Sequence, residues 1–210
     1  MLIPFPKIRA ILMYNNINIT GAFHIGAYEC EEIPFYKQLG LEGQDIIWLE
    51  AIDKMVVEAK NRGISNVYNA VVTDKDDEDV VFNVSNNVCS SSVLEFGTHS
   101  QEHPHVVYVD KIHAKSITIN SFFERNNINA SKYNFWNFDI QGAELMALKG
   151  ATQYIQYADA IYIEVNEKEL YKGCGLIGEI DTFLAEYKFK RVISDITHHG
   201  WGDALYIREV

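Results

Sequence analysis

Asp139, Gln141 and Glu144 stand close together in the run Asn137-Phe138-Asp139-Ile140-Gln141-Gly142-Ala143-Glu144. They directly follow an apolar, aromatic stretch that reads as a strand over Asn134–Asp139. A carboxylate at the carboxyl end of a parallel strand lies where open α/β sheets hold their ligands, and a placed carboxylate can take a proton from a reacting hydroxyl. Gly142 lets the backbone turn closely from strand to helix. Capping of that helix by Asp139 or Gln141 accounts for either residue locally, yet capping needs no aromatic strand aimed at the ligand edge. Glu164 and Asn166 end the next apolar run, Asp159–Asn166, on the same expected edge. Two neighbouring strand ends carrying Asp139 and Glu164 would raise one carboxyl pKa or bind a cation.

A second group of residues points to a nucleoside. Gly21-Ala22-Phe23-His24-Ile25-Gly26 reads as a glycine turn between a first strand, Ile17–Thr20, and a helix running from Gly26 to Gly40. Free N–H groups at such a helix start suit an anion or a polar ligand. The spacing is not the Gly-x-Gly-x-x-Gly of dinucleotide binders. Glu50 ends the continuous apolar strand Asp45–Glu50, where its carboxylate can accept hydrogen bonds from both hydroxyls of a ribose. Asn69 and Ala70 lie toward the end of a third strand, Asn66–Val72, where a small residue and an amide suit a purine.

Histidines are abundant but scattered. His99, His103 and His105 fall in a loop, Asn86–His105, that is interrupted by Pro104 and lacks a zinc ligand pattern. His198-His199-Gly200-Trp201-Gly202-Asp203 forms a compact turn that could cover a substrate. No metal site is expected.

The remaining elements position these groups. A helix is expected over Ile52–Arg62, a solvated hairpin turn over Asp74–Asp79 leading into a strand Val80–Val84, short strands at Val106–Val109 and Ile117–Ile119, and a helix at Ser121–Asn126. A helix follows Asp139, with Gly150 as a break, and another spans Ile177–Tyr187. Strands Phe189–Ile193 and Ala204–Arg208 close the chain as an antiparallel pair. Strands alternating with helices imply a mostly parallel sheet covered on both faces. One domain over residues 1–210 is expected, with residues 1–16 as an N-terminal extension and 17–209 as the core.

Composition narrows the partners. A formal charge of −11, from 29 acidic and 18 basic residues, repels phosphate backbones and anionic membranes, so no nucleic acid is expected. No apolar stretch is long enough to span a bilayer. Three dispersed cysteines, Cys30, Cys89 and Cys174, give no disulfide framework and fit a reducing, cytoplasmic setting. Tyr14, Phe35 and Tyr171 are the aromatics that would mark a homo-oligomer surface if exposed and clustered.

Taken together, the Gly21–Gly26 segment, Trp48-Leu49-Glu50-Ala51, Ser90-Ser91-Ser92, Asp139-Ile-Gln-Gly-Ala-Glu followed by Leu148-Lys149-Gly150-Ala151, and Ile163-Glu164-Val165-Asn166 resemble the FkbM family of S-adenosylmethionine-dependent methyltransferases. The resemblance extends from about Ile17 to Glu209, and Trp201–Tyr206 shares in it. It implies an α/β, Rossmann-like class I methyltransferase fold: a mostly parallel seven-stranded sheet with an antiparallel C-terminal strand and helices on both faces. It also implies S-adenosyl-L-methionine as cofactor and O-methylation of a sugar, nucleotide sugar or glycan. By position, it sets Gly21 and Gly26 near the methionine part of the cofactor, Glu50 at its ribose, and Asn69 and Ala70 near adenine. Ala22, His24, Ala51, Asp139 and Gln141 complete the expected cofactor contacts. Thr20 stands where the family commonly carries an acid before the glycine turn.

Methyl transfer to an alcohol needs a proton acceptor. Asp139 is the first candidate, with His24, Glu164 and His198 as alternatives. Three other readings stand beside it: a metal-assisted small-molecule O-methyltransferase with a divalent cation on Asp139 and Glu164, a nicotinamide-dependent oxidoreductase, disfavoured by the glycine spacing of the turn, and a non-catalytic methyltransferase-like interaction module.

Overall fold

The computed structural model describes residues 1–209. The chain begins with α1 (Phe5–Tyr14), β1 (Ala22–Ile25), α2 (Ile33–Gln38), β2 (Ile46–Glu50), α3 (Asp53–Asn61) and β3 (Val67–Asn69). Next come β4 (Val71–Val72), β5 (Asp79–Ser85), the single-turn α4 (His99–Glu102), β6 (Tyr108–Ile117), α5 (Ile119–Arg125) and β7 (Phe135–Phe138). The chain finishes with α6 (Glu144–Lys149), β8 (Ala160–Asn166), α7 (Ile177–Glu186), β9 (Phe189–Ile196) and β10 (Trp201–Arg208).

Seven strands form the main sheet in the order β3-β2-β1-β7-β8-β10-β9. All neighbours pair in parallel except β10, which runs antiparallel to both β8 and β9. The central strands read as unbroken apolar runs because both faces of the sheet are covered. Side chains alternate between two cores. Phe23, Ile25, Leu49, Trp136, Phe138 and Ile163 pack beneath α5, α6 and α7, through Phe122, Phe123, Leu148 and Leu184. Ala22, Ile46, Trp48, Phe135 and Tyr162 pack on the other face, against Leu12 of α1, Phe35 and Tyr36 of α2, and Val56 of α3. Residues 1–16 are therefore folded onto the core, with Ile3, Ile8 and Leu12 buried.

Five expectations need correction. The first strand is Ala22–Ile25, not Ile17–Thr20, because this run is buried at every position and pairs on both sides, with β2 and β7. The turn comes after Gly26, not before it, and the first helical residue is Ile33, so Gly26 is not a helix start. The acidic Asp74–Asp79 segment is no hairpin turn: β6 lies between β4 and β5 in a separate three-stranded sheet, parallel to β4 and antiparallel to β5. The expected strands at Val106–Val109 and Ile117–Ile119 give way to a single ten-residue strand, β6. Phe35 and Tyr171 are fully buried, so of the three aromatics named as surface markers only Tyr14 is exposed.

Candidate functional site

The carboxyl ends of β1, β2 and β7 open into a cleft. Gly26, Ala27 and Tyr28 line it from β1, Glu50, Ala51 and Ile52 from β2, and Asp139, Ile140 and Gln141 from β7. Ala70, Val71, Val72 and Phe82 give it an apolar end, and Ser91 and Val93 form part of its wall. A Cβ on Gly26, at φ +92°, would stand 1.8 Å from the carbonyl oxygen of Asp139. Glycine is required there because β1 and β7 leave the sheet in near contact. The N–H groups of Gly26 and Ala27 both donate to the Leu49 carbonyl at 2.9 Å, which fixes the loop to β2.

Glu50 closes the same loop. Its carboxylate accepts the Tyr28 N–H and the Ile52 N–H, each at 2.8 Å. Burial raises its pKa, and these hydrogen bonds pull in the opposite direction. Asn69 is exposed, and its amide donates to the Glu50 and Ala51 carbonyls at 3.1 and 2.9 Å. It therefore braces the end of β2, while Ala70 lines the cleft.

Asp139 is the hinge of the arrangement. It lines this cleft and also a second one, bordered by His99, His103, His105, Glu164, Trp201 and Asp203. Gln141 lines both as well. Its amide nitrogen donates to Asp139 Oδ1 and Glu164 Oε2, each at 2.7 Å, and its amide oxygen accepts the Tyr171 hydroxyl at 2.8 Å. The Ser92 hydroxyl holds the Gln141 carbonyl at 2.8 Å. These bonds hold Gln141 at φ +56°, a left-handed backbone conformation that is costly for a residue with a side chain. Glu144 braces the turn from below by accepting the Ile140 and Gly142 N–H groups at 3.0 and 3.1 Å.

Electrostatics follow from the crowding of acids. The Asp139 side chain is open to the cleft but enclosed by protein, and loss of water followed by the field of Asp203 raises its pKa. Burial pushes Glu144 up to about 7. Burial, then Asp139, Glu144 and Asp203, lift Glu164 well above the usual carboxylate range.

Several sequence expectations separate here. Gly26, Ala51 and Ala70 line the first cleft with Glu50, Asp139 and Gln141, while Glu164 lines the second. Gly21 and Ala22 do not belong with them. Gly21 precedes β1 and Ala22 begins it, at the amino end of the strand away from the cleft, where a Cβ on Gly21 would meet the Lys132 carbonyl at 2.4 Å and Ala22 is packed in the core. Thr20 lies at that far end too, its hydroxyl on the Lys132 carbonyl. His24 is buried beneath the cleft. One ring nitrogen meets the Tyr36 hydroxyl at 2.8 Å and the other the Gly26 carbonyl at 3.2 Å, and burial holds its pKa down to about 4. With both nitrogens engaged, it supports the Gly26 loop and is not a free base. His198 is exposed on the turn between β9 and β10, its ring tilted at 43° to that of His199 with centroids 3.8 Å apart, and lines neither cleft.

Sequence reading missed Asp203, whose Oδ2 accepts the Tyr162 hydroxyl and the Leu2 N–H. Its signal was present in the His198–Asp203 turn, but only strand pairing sets it beside Glu164. It also missed that Glu102, His103 and His199 bring ligand-type atoms within 4.8 Å of one another. Lys168 already forms an ion pair with Glu102 there.

The strand order, with its single antiparallel member, and the cleft across the ends of β1, β2 and β7 define a class I methyltransferase fold. Solved structures that resemble the chain include a magnesium protoporphyrin IX methyltransferase from Synechocystis PCC 6803 with bound SAM, at 11% identity and TM-score 0.48, covering 98% of this chain and 78% of that one. A SAM-dependent methyltransferase from Bacteroides fragilis in complex with S-adenosyl-L-homocysteine matches at 8% identity and TM-score 0.47, covering 100% and 79%. One from Aquifex aeolicus matches at 12% identity and TM-score 0.42, covering 96% and 89%. No curated protein sequence matches the chain. The methyltransferase FkbM domain matches residues 11–191, and the chain belongs to that family. It is a methyltransferase that uses S-adenosyl-L-methionine.

Proposed function

We propose that the chain transfers a methyl group from S-adenosyl-L-methionine to a hydroxyl of a sugar or glycan, with Asp139 as proton acceptor. The observation that carries this reading is the position of Asp139 and Gln141 on the border of both clefts. The first cleft fits the donor. Glu50 offers carboxylate lone pairs to ribose hydroxyls, Ala70, Val72 and Phe82 offer an apolar slot to adenine, and Gly26 allows close approach of the methionine part. The second cleft, with its polar walls, suits a hydroxylated acceptor. Neither cleft is lined by lysine or arginine, which disfavours the diphosphate of a nucleotide sugar.

The donor, when bound, supplies an electrophilic methyl group whose bonding electrons leave with sulfur. The protein must hold the acceptor oxygen in line with that bond, at roughly 3 Å. As the new C–O bond forms, the hydroxyl proton passes to Asp139. Its raised proton affinity improves it as a base, and the Gln141 amide fixes its orientation.

The test pairs binding with turnover. The Asp139→Asn variant should bind S-adenosylhomocysteine within about threefold of wild type, while its release from a panel of sugars falls by about 10²–10⁴-fold. Unchanged turnover would remove Asp139 from the chemistry. Failure of the wild type to bind S-adenosylhomocysteine in calorimetry would reject the donor site itself.

A further inference from the structure

The second cleft has an unusual charge balance. Asp139, Glu164 and Asp203 all line it, and no lysine or arginine side chain does. Glu164 and Asp203 are directly opposed in the antiparallel pairing of β8 with β10, so their side chains leave the same face of the sheet. Like charges in that position are destabilising. Glu164 is only 4% exposed, and its Oε1 has no hydrogen-bond partner among the described residues. His99, only 5% exposed, likewise leaves Nδ1 without a partner. A buried polar atom is ordinarily hydrogen-bonded, so both atoms are open to a polar group on a bound ligand.

Two kinds of cation could answer these acids. A divalent ion needs several oxygens converging on one point. Asp139, Glu164 and Asp203 do not converge in this way, since among the described residues the one set of three ligand atoms that does is Glu102, His103 and His199. The Gln141 amide, moreover, already occupies the position between Asp139 and Glu164. Acids spread round the cleft without converging on one point instead suit an organic cation, whose ammonium group donates several separate hydrogen bonds.

We infer that the acceptor is an amino sugar or a related hydroxylated amine, bound through its ammonium group by Glu164 and Asp203 so that a hydroxyl faces Asp139. This rests on the reading of the two clefts as donor and acceptor sites. The ammonium group is the recognition element and the hydroxyl is the nucleophile.

The test uses the whole chain saturated with S-adenosylhomocysteine, whose own binding, measured first, examines the donor reading separately. Glucosamine, N-acetylglucosamine and glucuronic acid are then titrated, with the side-chain amide resonances of Gln141 as the local probe. Glucosamine should bind at least about tenfold more tightly than the other two. Glu164→Gln, which removes the cross-strand repulsion and should fold, is expected to abolish that preference, and Asp203→Asn provides the same test from the facing strand. Equal affinities, tighter binding of N-acetylglucosamine or glucuronic acid, or no binding of any of the three would overturn the inference. So would a preference that survives in both variants.

Discussion

Replacing Glu50 by glutamine isolates what its carboxylate does. In the free protein the two carboxylate oxygens each accept one backbone N–H, from Tyr28 and Ile52, at 2.8 Å. A glutamine offers one oxygen and one NH2, so one of those donors must lose its partner, at a cost of about 1–3 kcal/mol. Against this, the variant no longer buries a charge whose ionisation burial already opposes. The two effects act in opposite directions, and the melting temperature should move by only a few degrees. The bound state differs, because hydrogen bonds from ribose hydroxyls to a carboxylate are stronger by roughly 1–2 kcal/mol than those to an amide. With about 1.4 kcal/mol per tenfold change, affinity for S-adenosylhomocysteine should fall by about 10-fold or more. Calorimetry with S-adenosylhomocysteine and with its 2′-deoxy analogue gives the sharper readout. Wild type should prefer the hydroxylated ligand, and Glu50→Gln should lose most of that preference. The same discrimination in both proteins would show that Glu50 does not touch the ribose and would undo the placement of the donor.

Three further outcomes are expected. Gly26→Ala combines a left-handed φ with a Cβ 1.8 Å from the Asp139 carbonyl, so it should cost about 1–3 kcal/mol in backbone strain alone and weaken S-adenosylhomocysteine binding; retention of both stability and affinity would contradict the close approach of β1 and β7. The His24 imidazole should stay neutral down to about pH 4 in the folded protein, against the ordinary histidine value of 6.5. The unfolded chain therefore takes up that proton first, and the stability contributed by the neutral ring, complete above pH 6.5, is lost as pH falls toward 4. Relative to His24→Gln, wild type should lose about 3 kcal/mol across that window in denaturant titrations, and a pH-independent difference would refute the assignment. Phe23→Ala removes a fully buried ring whose centroid lies 4.8 Å from Phe123 and 5.4 Å from Trp136. It should destabilise by about 3–5 kcal/mol, and a loss below about 1 kcal/mol would mean that this face of the sheet repacks freely.

The sequence alone determined the strands with continuous apolar character. Asn134–Asp139 and Asp159–Asn166 each contain an observed strand, and Asp45–Glu50 contains β2. Such runs are legible because a parallel strand covered on both faces has no solvent side to interrupt it. Their acids, Glu50, Asp139 and Glu164, were legible for the same reason: each is the first charged residue after the uncharged run that begins its strand. Tertiary structure decided the rest. Ile17–Thr20 and Ala22–Ile25 are both short and partly apolar, and only pairing with β2 and β7 selects the second. That choice removes Gly21 and Ala22 from the cleft, brings Gly26 against Asp139, and turns His24 down onto Tyr36. The pairing of Asp203 with Glu164 spans a separation in sequence that no local pattern encodes. Local spacing reports the face and end of a strand on which a residue lies, whereas the neighbour it meets across the sheet depends on strand order and register, which are fixed when the two cores close.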